Sequence, residues 1–496
     1  MGSPDQRRNS LGPTGSRPPR TPAELVVVTH GALTAIDPAA LRENVSAETR
    51  LGQLLPNAAL TRVFGPPRRL EHRLAGTPVE PGGAELLNYF TVSGVEDDPD
   101  AEAERLRADD AVAAAYVKPP AEPPLAPPIS NAVADVAARA LTEPPVVTPD
   151  FLARQGYLGA APEGVNAQWA WTQPGGRGTG VRVIDVEGAW RFTHEDLLDN
   201  QGGVIGGSPS PDLGWRNHGT AVAGQISGDV NGFGITGIAP EAGIRAVSVF
   251  GGGGSAAAIR SAADALSAGD ILLIELHRPG PRFNYAGRPD QRGYIAIEWW
   301  PDDWAAIRYA IGRGVVVVEA AGNGGEDLDA ALYDSKPAEF PSTWRNPFRG
   351  GVADSGAIVV GAGAPPPGTH GRDHGPARSR LDFSNYGSRV DTQGWGREVT
   401  TTGYGDLQGG SDEDLWYSDT FSGTSSASPI VVGAIACYQG ALGAAGSGRS
   451  TPEQIRTRLR ATGSAQTEAP GRPATQRIGN LPDVRALLGD GPAVDV

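Results

Sequence analysis

Five short runs rich in branched apolar residues recur down the last two thirds of this chain: 181–186, 244–250, 271–276, 315–320 and 357–360. Helical stretches separate them, the clearest being 302–311, which stops at Gly312. Strands that are apolar on both faces have no side to offer to water. They require a mostly parallel sheet with helices on both faces, an α/β domain over residues 151–496.

The preceding chain reads differently. Residues 1–22 are rich in Pro, Gly, Ser and Arg without periodicity, and a disordered leader is expected there. Residues 23–118 follow the order β-α-β-β-α-β: an apolar run at 25–28, a helix opened by Asp37-Pro38, strands at 61–64 and 86–95, a helix at 99–107 and a strand at 111–117. That order suits a small ferredoxin-like α+β domain. A Pro-rich segment begins at Pro119 and forms a linker over 119–150, with a short helix expected at 129–140.

Composition removes several function classes. The net charge of −15 is spread along the 496 residues, which argues against a nucleic-acid partner. Lys118 and Lys336 are the only lysines and neither follows a glycine, so no G-x-x-x-x-G-K phosphate loop exists. The single cysteine, Cys437, forms no intrachain disulfide or cysteine-based zinc site and reads as core. No uninterrupted apolar run approaches the roughly 18–20 residues of a membrane span, and no apolar stretch follows the N-terminal arginines. The chain as written is expected in the cytoplasm, with secretion as the alternative.

Three segments place reactive residues where a strand ends or a helix starts. Asp185 closes the run VRVID, His218 lies in NHGTAVAGQI, and Ser425 lies in FSGTSSASPIVVGAIA. In a parallel sheet ligands gather at the carboxyl ends of strands. A serine needs an adjacent base, a histidine suits that task, and a carboxylate on its far nitrogen fixes the tautomer. Asp185, His218 and Ser425 are therefore a candidate triad. Asn323, in the glycine-rich turn after 315–320, and the Ser425 N–H are candidate oxyanion donors.

VIDVEG, NHGTAVAG, AAGNGG and SGTSSASP resemble, in that order, the four catalytic motifs of the subtilisin-like serine proteases. The resemblance implies a subtilisin-like fold and a serine endopeptidase acting on polypeptides through an acyl-enzyme. A catalytically silent, peptide-binding scaffold is the alternative; an α/β-hydrolase esterase is disfavoured because no G-x-S-x-G occurs. It further implies that Gly254 and Ser255 on one side, and Glu275, Leu276 and His277 on the other, are edge backbone that pairs with an extended substrate. Residues 23–118 are similar in position and element order to the family's propeptide, an inhibitor and chaperone. A self-processing zymogen, cut within 119–150 and otherwise monomeric, is expected.

The chain departs from the family in places. Val186-Glu187-Gly188 replaces the usual Ser or Thr and Gly after the aspartate, which leaves the hydrogen bonds around Asp185 open. Glu275 stands where a small residue is usual; with Glu319 on a neighbouring strand it would line the pocket for the residue before the scissile bond and favour a basic side chain there, unless arginines such as Arg278 or Arg282 pair with them. The insertion 279–299 is placed to shape the cleft as a hairpin. His72 and His194 read as surface residues, and His370 with His374 as a Pro- and Gly-rich loop rather than a metal site. No cofactor is required; calcium is a possible structural ion at the acidic groups 326–329 or 412–414. Ser426 follows the nucleophile where Met is common, and Met1 is the only methionine. Activity should therefore survive dilute peroxide, and rapid loss in a timed exposure would contradict this.

Overall fold

A computed structural model describes residues 20–30, 38–66, 85–95, 98–125 and 144–489. Most of the expected leader, the expected helix at 129–140 and His72 lie outside the described residues.

The small domain contains β1 (Glu24–Thr29), β2 (Ala59–Arg62), β3 (Tyr89–Ser93) and β4 (Val112–Lys118), with helices Pro38–Leu54 and Pro99–Arg107. Its strands are antiparallel in the order β2-β3-β1-β4. The expected strand at 86–95 begins instead as a single 3-10 turn, Glu85–Asn88. The Pro99–Arg107 helix starts where expected because Asp98 accepts from the Ala101 N–H at 2.9 Å and Pro99 leads the first turn.

Period 2 explains how this sheet is used. Leu25 and Val27 of β1 face the domain's own helices, whereas Val26 and Val28 join Tyr116, Phe64 and the helices of the large domain in one continuous core.

The large domain is built on seven parallel strands: β5 (Arg182–Glu187), β6 (Gln201–Gly206), β7 (Gly243–Ser248), β8 (Ile271–Ile274), β11 (Val316–Ala320), β12 (Ile358–Gly363) and β13 (Thr392–Trp395). Their order is β13-β12-β11-β8-β5-β7-β6. Helices Gly254–Ala265 and Pro301–Gly312 cover one face; Leu213–Ser227 and Thr424–Ala444 cover the other. The chain runs from β5 to one side through β6 and β7, then crosses to β8, so the strand order reverses beside β5. Such a reversal opens a crevice at the carboxyl ends of the strands. The expected insertion forms a hairpin of β9 (His277–Pro279) with β10 (Tyr294–Ala296), and β14 (Val399–Thr402) pairs with β15 (Tyr417–Phe421). At 21 residues, Thr424–Ala444 is long and apolar enough to cross a membrane by length and composition, contrary to the reading of uninterrupted runs; 83% of its apolar window is buried in this core.

The two domains share a buried cluster of charges. Lys118 reaches Asp302 at 2.5 Å, Asp303 at 3.1 Å and Glu24 at 2.8 Å, while Arg278 binds Glu24 and the Ser255 hydroxyl. Burial alone would raise the Glu24 carboxyl, but Arg278 and Lys118 outweigh it and hold it down at about 2. Removing one partner from such a cluster leaves charge stranded. Lys118→Met in the full chain should cost about 3–5 kcal/mol; denaturant unfolding of the Ser425→Ala background would read it, and a loss under about 1 kcal/mol would contradict it.

Candidate active site

β5 and β8 meet at the crevice with carboxylates on the same side. Val183, Asp185 and Glu187 alternate onto the face covered by the Leu213–Ser227 and Thr424–Ala444 helices, as do Ile271, Leu273 and Glu275. His218 lies in the second turn of the first of these helices, whose start is capped by Asp212 accepting from the Trp215 N–H at 3.1 Å. Gly219 lets that helix approach closely: a Cβ there would sit 2.3 Å from the Ala189 carbonyl oxygen.

His218 does not bond to the expected carboxylate. Its Nδ1 lies 2.7 Å from Glu187 Oε2, whereas Asp185 accepts from the indole N–H of Trp190 at 2.7 Å and lies against the Glu187 carboxyl. The cause is reach along one strand: Glu187, two residues beyond Asp185, is nearer the mouth of the crevice on the same face. Burial first, then the Glu187 charge, push the Asp185 carboxyl well up. Burial raises Glu187 also, against the hydrogen bond from Asp185. His218 Nε2 is buried with no hydrogen-bond partner among the described residues.

Ser425 is in the first turn of the Thr424–Ala444 helix, where backbone N–H groups have no partner within the helix. Its hydroxyl lies near Glu275, which accepts from Ser428 Oγ at 2.7 Å. Burial first, then the charges of Asp185 and Glu187, raise the Glu275 carboxyl well above the ordinary range. Asn323 follows Gly322, whose φ of +94° forms the turn. Its Oδ1 accepts from the Thr424 N–H and hydroxyl, both at 3.0 Å, and its Nδ2 donates to Gln291 at 3.2 Å. Asn323 thus sits beside the Ser425 helix with its amide donor engaged by the hairpin.

Several expected substrate contacts are corrected. Gly254 and Ser255 begin a helix, and the Ser255 N–H donates to Glu24 of the small domain at 3.2 Å; neither belongs to an edge strand. Glu319 pairs in register with Ile274, not Glu275, so it points to the opposite face of the sheet, next to Glu298 and Arg389. The two acids do not line one pocket, and neither pairs with Arg278 or Arg282, which bind Glu24 and Glu326. Leu276 buries its side chain in the core, while the backbone of His277 is an edge. His194 is buried rather than at the surface, its ring nitrogens bonded to the Trp416 carbonyl and the Asp196 N–H.

The edge is occupied by the chain's own linker. Glu122 exchanges both backbone hydrogen bonds with His277, at 3.1 and 3.0 Å, as an antiparallel strand would. Two residues on, the Pro124 carbonyl oxygen accepts from the Ser425 N–H at 3.4 Å. Gln291 and Tyr294, which the sequence reading did not single out, reach the linker from the hairpin: Tyr294 Oη donates to Glu122 at 2.7 Å and Gln291 Nε2 to the Pro123 carbonyl at 3.2 Å.

Glu413 and Asp414 are held by Arg191, Glu326 by Arg282, and Asp329 by the Ser388 N–H and hydroxyl. His374 and Arg372 turn instead to Glu398, at 2.9 and 3.0 Å.

Comparison with known proteins bears on the family and the fold. The subtilase family model matches residues 199–479, more than half of the chain, and the chain belongs to that family. The match starts beyond β5, so Asp185 and Glu187 lie outside it. Subtilisin BL of Lederbergia lenta is 32% identical over 184 residues, covering 36% of this chain and 57% of the relative; subtilisin E of Bacillus subtilis is 27% identical over 203 residues, covering 40% and 48%. The chain thus spans about half the length of these curated relatives. The crystal structure of fervidolysin from Fervidobacterium pennivorans, described as a keratinolytic enzyme related to subtilisin, superposes with a TM-score of 0.55 at 18% identity, over 98% of this chain and 62% of that one.

Burial disfavours the imidazolium and brings His218 down to about 3, against a smaller opposing pull from Asp185. A depressed value keeps the ring neutral as pH falls through the ordinary 6.5. In the full-length Ser425→Ala chain, the His218 ring should remain neutral at about pH 5 by NMR titration; a midpoint near 6.5 would contradict the burial argument.

Proposed function

We propose that this chain is a serine endopeptidase made as a self-processing zymogen. Ser425 attacks the scissile carbonyl and His218 Nε2 takes its proton. Glu187 holds Nδ1–H and stabilises the imidazolium, with Asp185 behind it as a positioning residue. The Ser425 N–H binds the oxyanion, and Asn323 adds a second donor once Gln291 releases its amide. The linker supports this reading most directly: its Pro124 carbonyl lies on the Ser425 N–H while Glu122 pairs with the His277 edge, as a bound substrate would. Residues 23–118, docked through their apolar sheet face, serve as the inhibitor and chaperone domain. The chemistry uses protein groups alone and needs no cofactor.

A silent scaffold would bind the linker equally well but would have no use for a histidine whose Nδ1 is held by a carboxylate and whose Nε2 is unengaged. Processed wild-type protein should be labelled by a fluorophosphonate and Ser425→Ala should not; unlabelled processed protein would favour the scaffold. In the same preparations Glu187→Gln should lower kcat about 10³–10⁴-fold with little change in KM. Asp185→Asn should cost only roughly tenfold. The reverse order of losses would return the orienting role to Asp185.

A further inference from the structure

The linker's course through the crevice carries more than an assignment of roles. Residues 121–124 are buried along it, and each position is read by a different part of the protein. Thr21 exchanges hydrogen bonds with Ala121, at 3.1 and 2.8 Å. The Glu122 side chain, 1% exposed, lies between Tyr294 and Gln291 of the hairpin and Arg20, which pairs with it at 2.7 Å. Pro123 and Pro124 follow without an N–H between them, so the buried backbone here has no donor left to satisfy. The Leu125 N–H then turns back to the Pro123 carbonyl at 2.8 Å, a three-residue turn centred on Pro124. Proline's fixed φ near −65° is close to what such a turn requires. The same turn presents the Pro124 carbonyl to the Ser425 N–H, and Leu125 packs against the core beside the crevice.

Resting on the serine-endopeptidase reading above, we propose that this crevice is a post-proline site. It cuts the chain's own linker between Pro124 and Leu125 and prefers peptides with proline before the scissile bond and an acidic side chain two residues further upstream. Ser425 Oγ bonds to the Pro124 carbonyl carbon as its proton passes to His218 Nε2. The Pro124–Leu125 C–N bond breaks and the Leu125 nitrogen takes that proton. Water then hydrolyses the acyl-enzyme, leaving a Pro124 carboxylate and restoring the serine. Proline is selected because its ring pre-sets the turn and asks for no backbone acceptor. The acid is selected because Tyr294 and Gln291 donate to it in a place closed to water.

The test uses wild-type and Ser425→Ala full-length chains, followed by sequencing of the earliest processed product. The expected product begins at Leu125, and Ser425→Ala stays intact. Processed enzyme is then given Ala-Glu-Pro-Pro-Leu-Ala peptides in which the second proline is replaced by Phe or Arg, or the Glu by Gln. Each replacement should lower kcat/KM by about tenfold or more, and Gln291→Ala should bring the Glu and Gln peptides to within about threefold of one another. A first cut elsewhere in the linker, or faster cleavage after Phe or Arg, overturns the post-proline assignment and leaves the serine-endopeptidase reading intact. Absence of both processing and fluorophosphonate labelling in wild type overturns that reading and this inference with it.

Discussion

The parallel pairing of β5 with β8 at the centre of the sheet is the constraint on which the rest depends. It fixes Asp185 opposite Leu273 and Val186 opposite Ile274, so the strands end together where the chain reverses direction across the sheet. Everything at the site is measured from that edge. The His218 and Ser425 helices both pack on the face toward which Asp185, Glu187 and Glu275 point. Three acids collected in a buried place cannot all ionise. Burial raises the carboxyls of Asp185 and Glu187, and Glu275 accepts from the Ser428 hydroxyl. The arrangement is costly to bury, and the Trp190 indole N–H, which donates to Asp185, offsets part of that cost.

Much of the architecture was legible because burial leaves a periodic mark. Strands apolar on both faces announced a covered parallel sheet, and the helix expected at 99–107 is found at Pro99–Arg107. His218, Ser425 and Asn323 could be read because each stands next to the end of an apolar run. Glu187 was equally visible in principle, since a residue two positions beyond Asp185 shares its face; Asp185 stood out because it closes the apolar run. Glu319 was misplaced by ignoring the same parity, as its partner Ile274 is one residue out of phase with Glu275. Gln291 and Tyr294 sit in a stretch of turns and a three-residue strand with no period to read, and their importance comes only from what lies against them. The unbroken-run criterion also passed over the Ser425 helix, because its serines and glycines interrupt the apolar residues without making the face polar.

The linker and the small domain are held by one set of groups. Arg278, at the foot of the hairpin, donates to the Pro119 carbonyl as well as to Glu24, so the residue that anchors the docked domain also fixes where the linker enters the crevice. From Pro119 to Leu125 the chain is then guided by backbone pairing, by the hairpin and by four prolines. A rigid path through a rigid crevice positions one carbonyl on the Ser425 N–H without a dedicated side chain to hold it there.

The buried charge cluster has a further property. Glu24 and Lys118 belong to the small domain, and Arg278, Asp302 and Asp303 to the large one. Separation of the two domains would therefore withdraw one negative and one positive group together and leave the formal charge of the uncovered face as it was. No electrostatic imbalance accumulates to pull the partners back across solvent or to drive them apart. Ionic strength, which acts on long-range fields, has little purchase on such an encounter, and how long the domains stay together is set by short-range fit: the sheet face of Val26, Val28 and Tyr116 on its apolar seat.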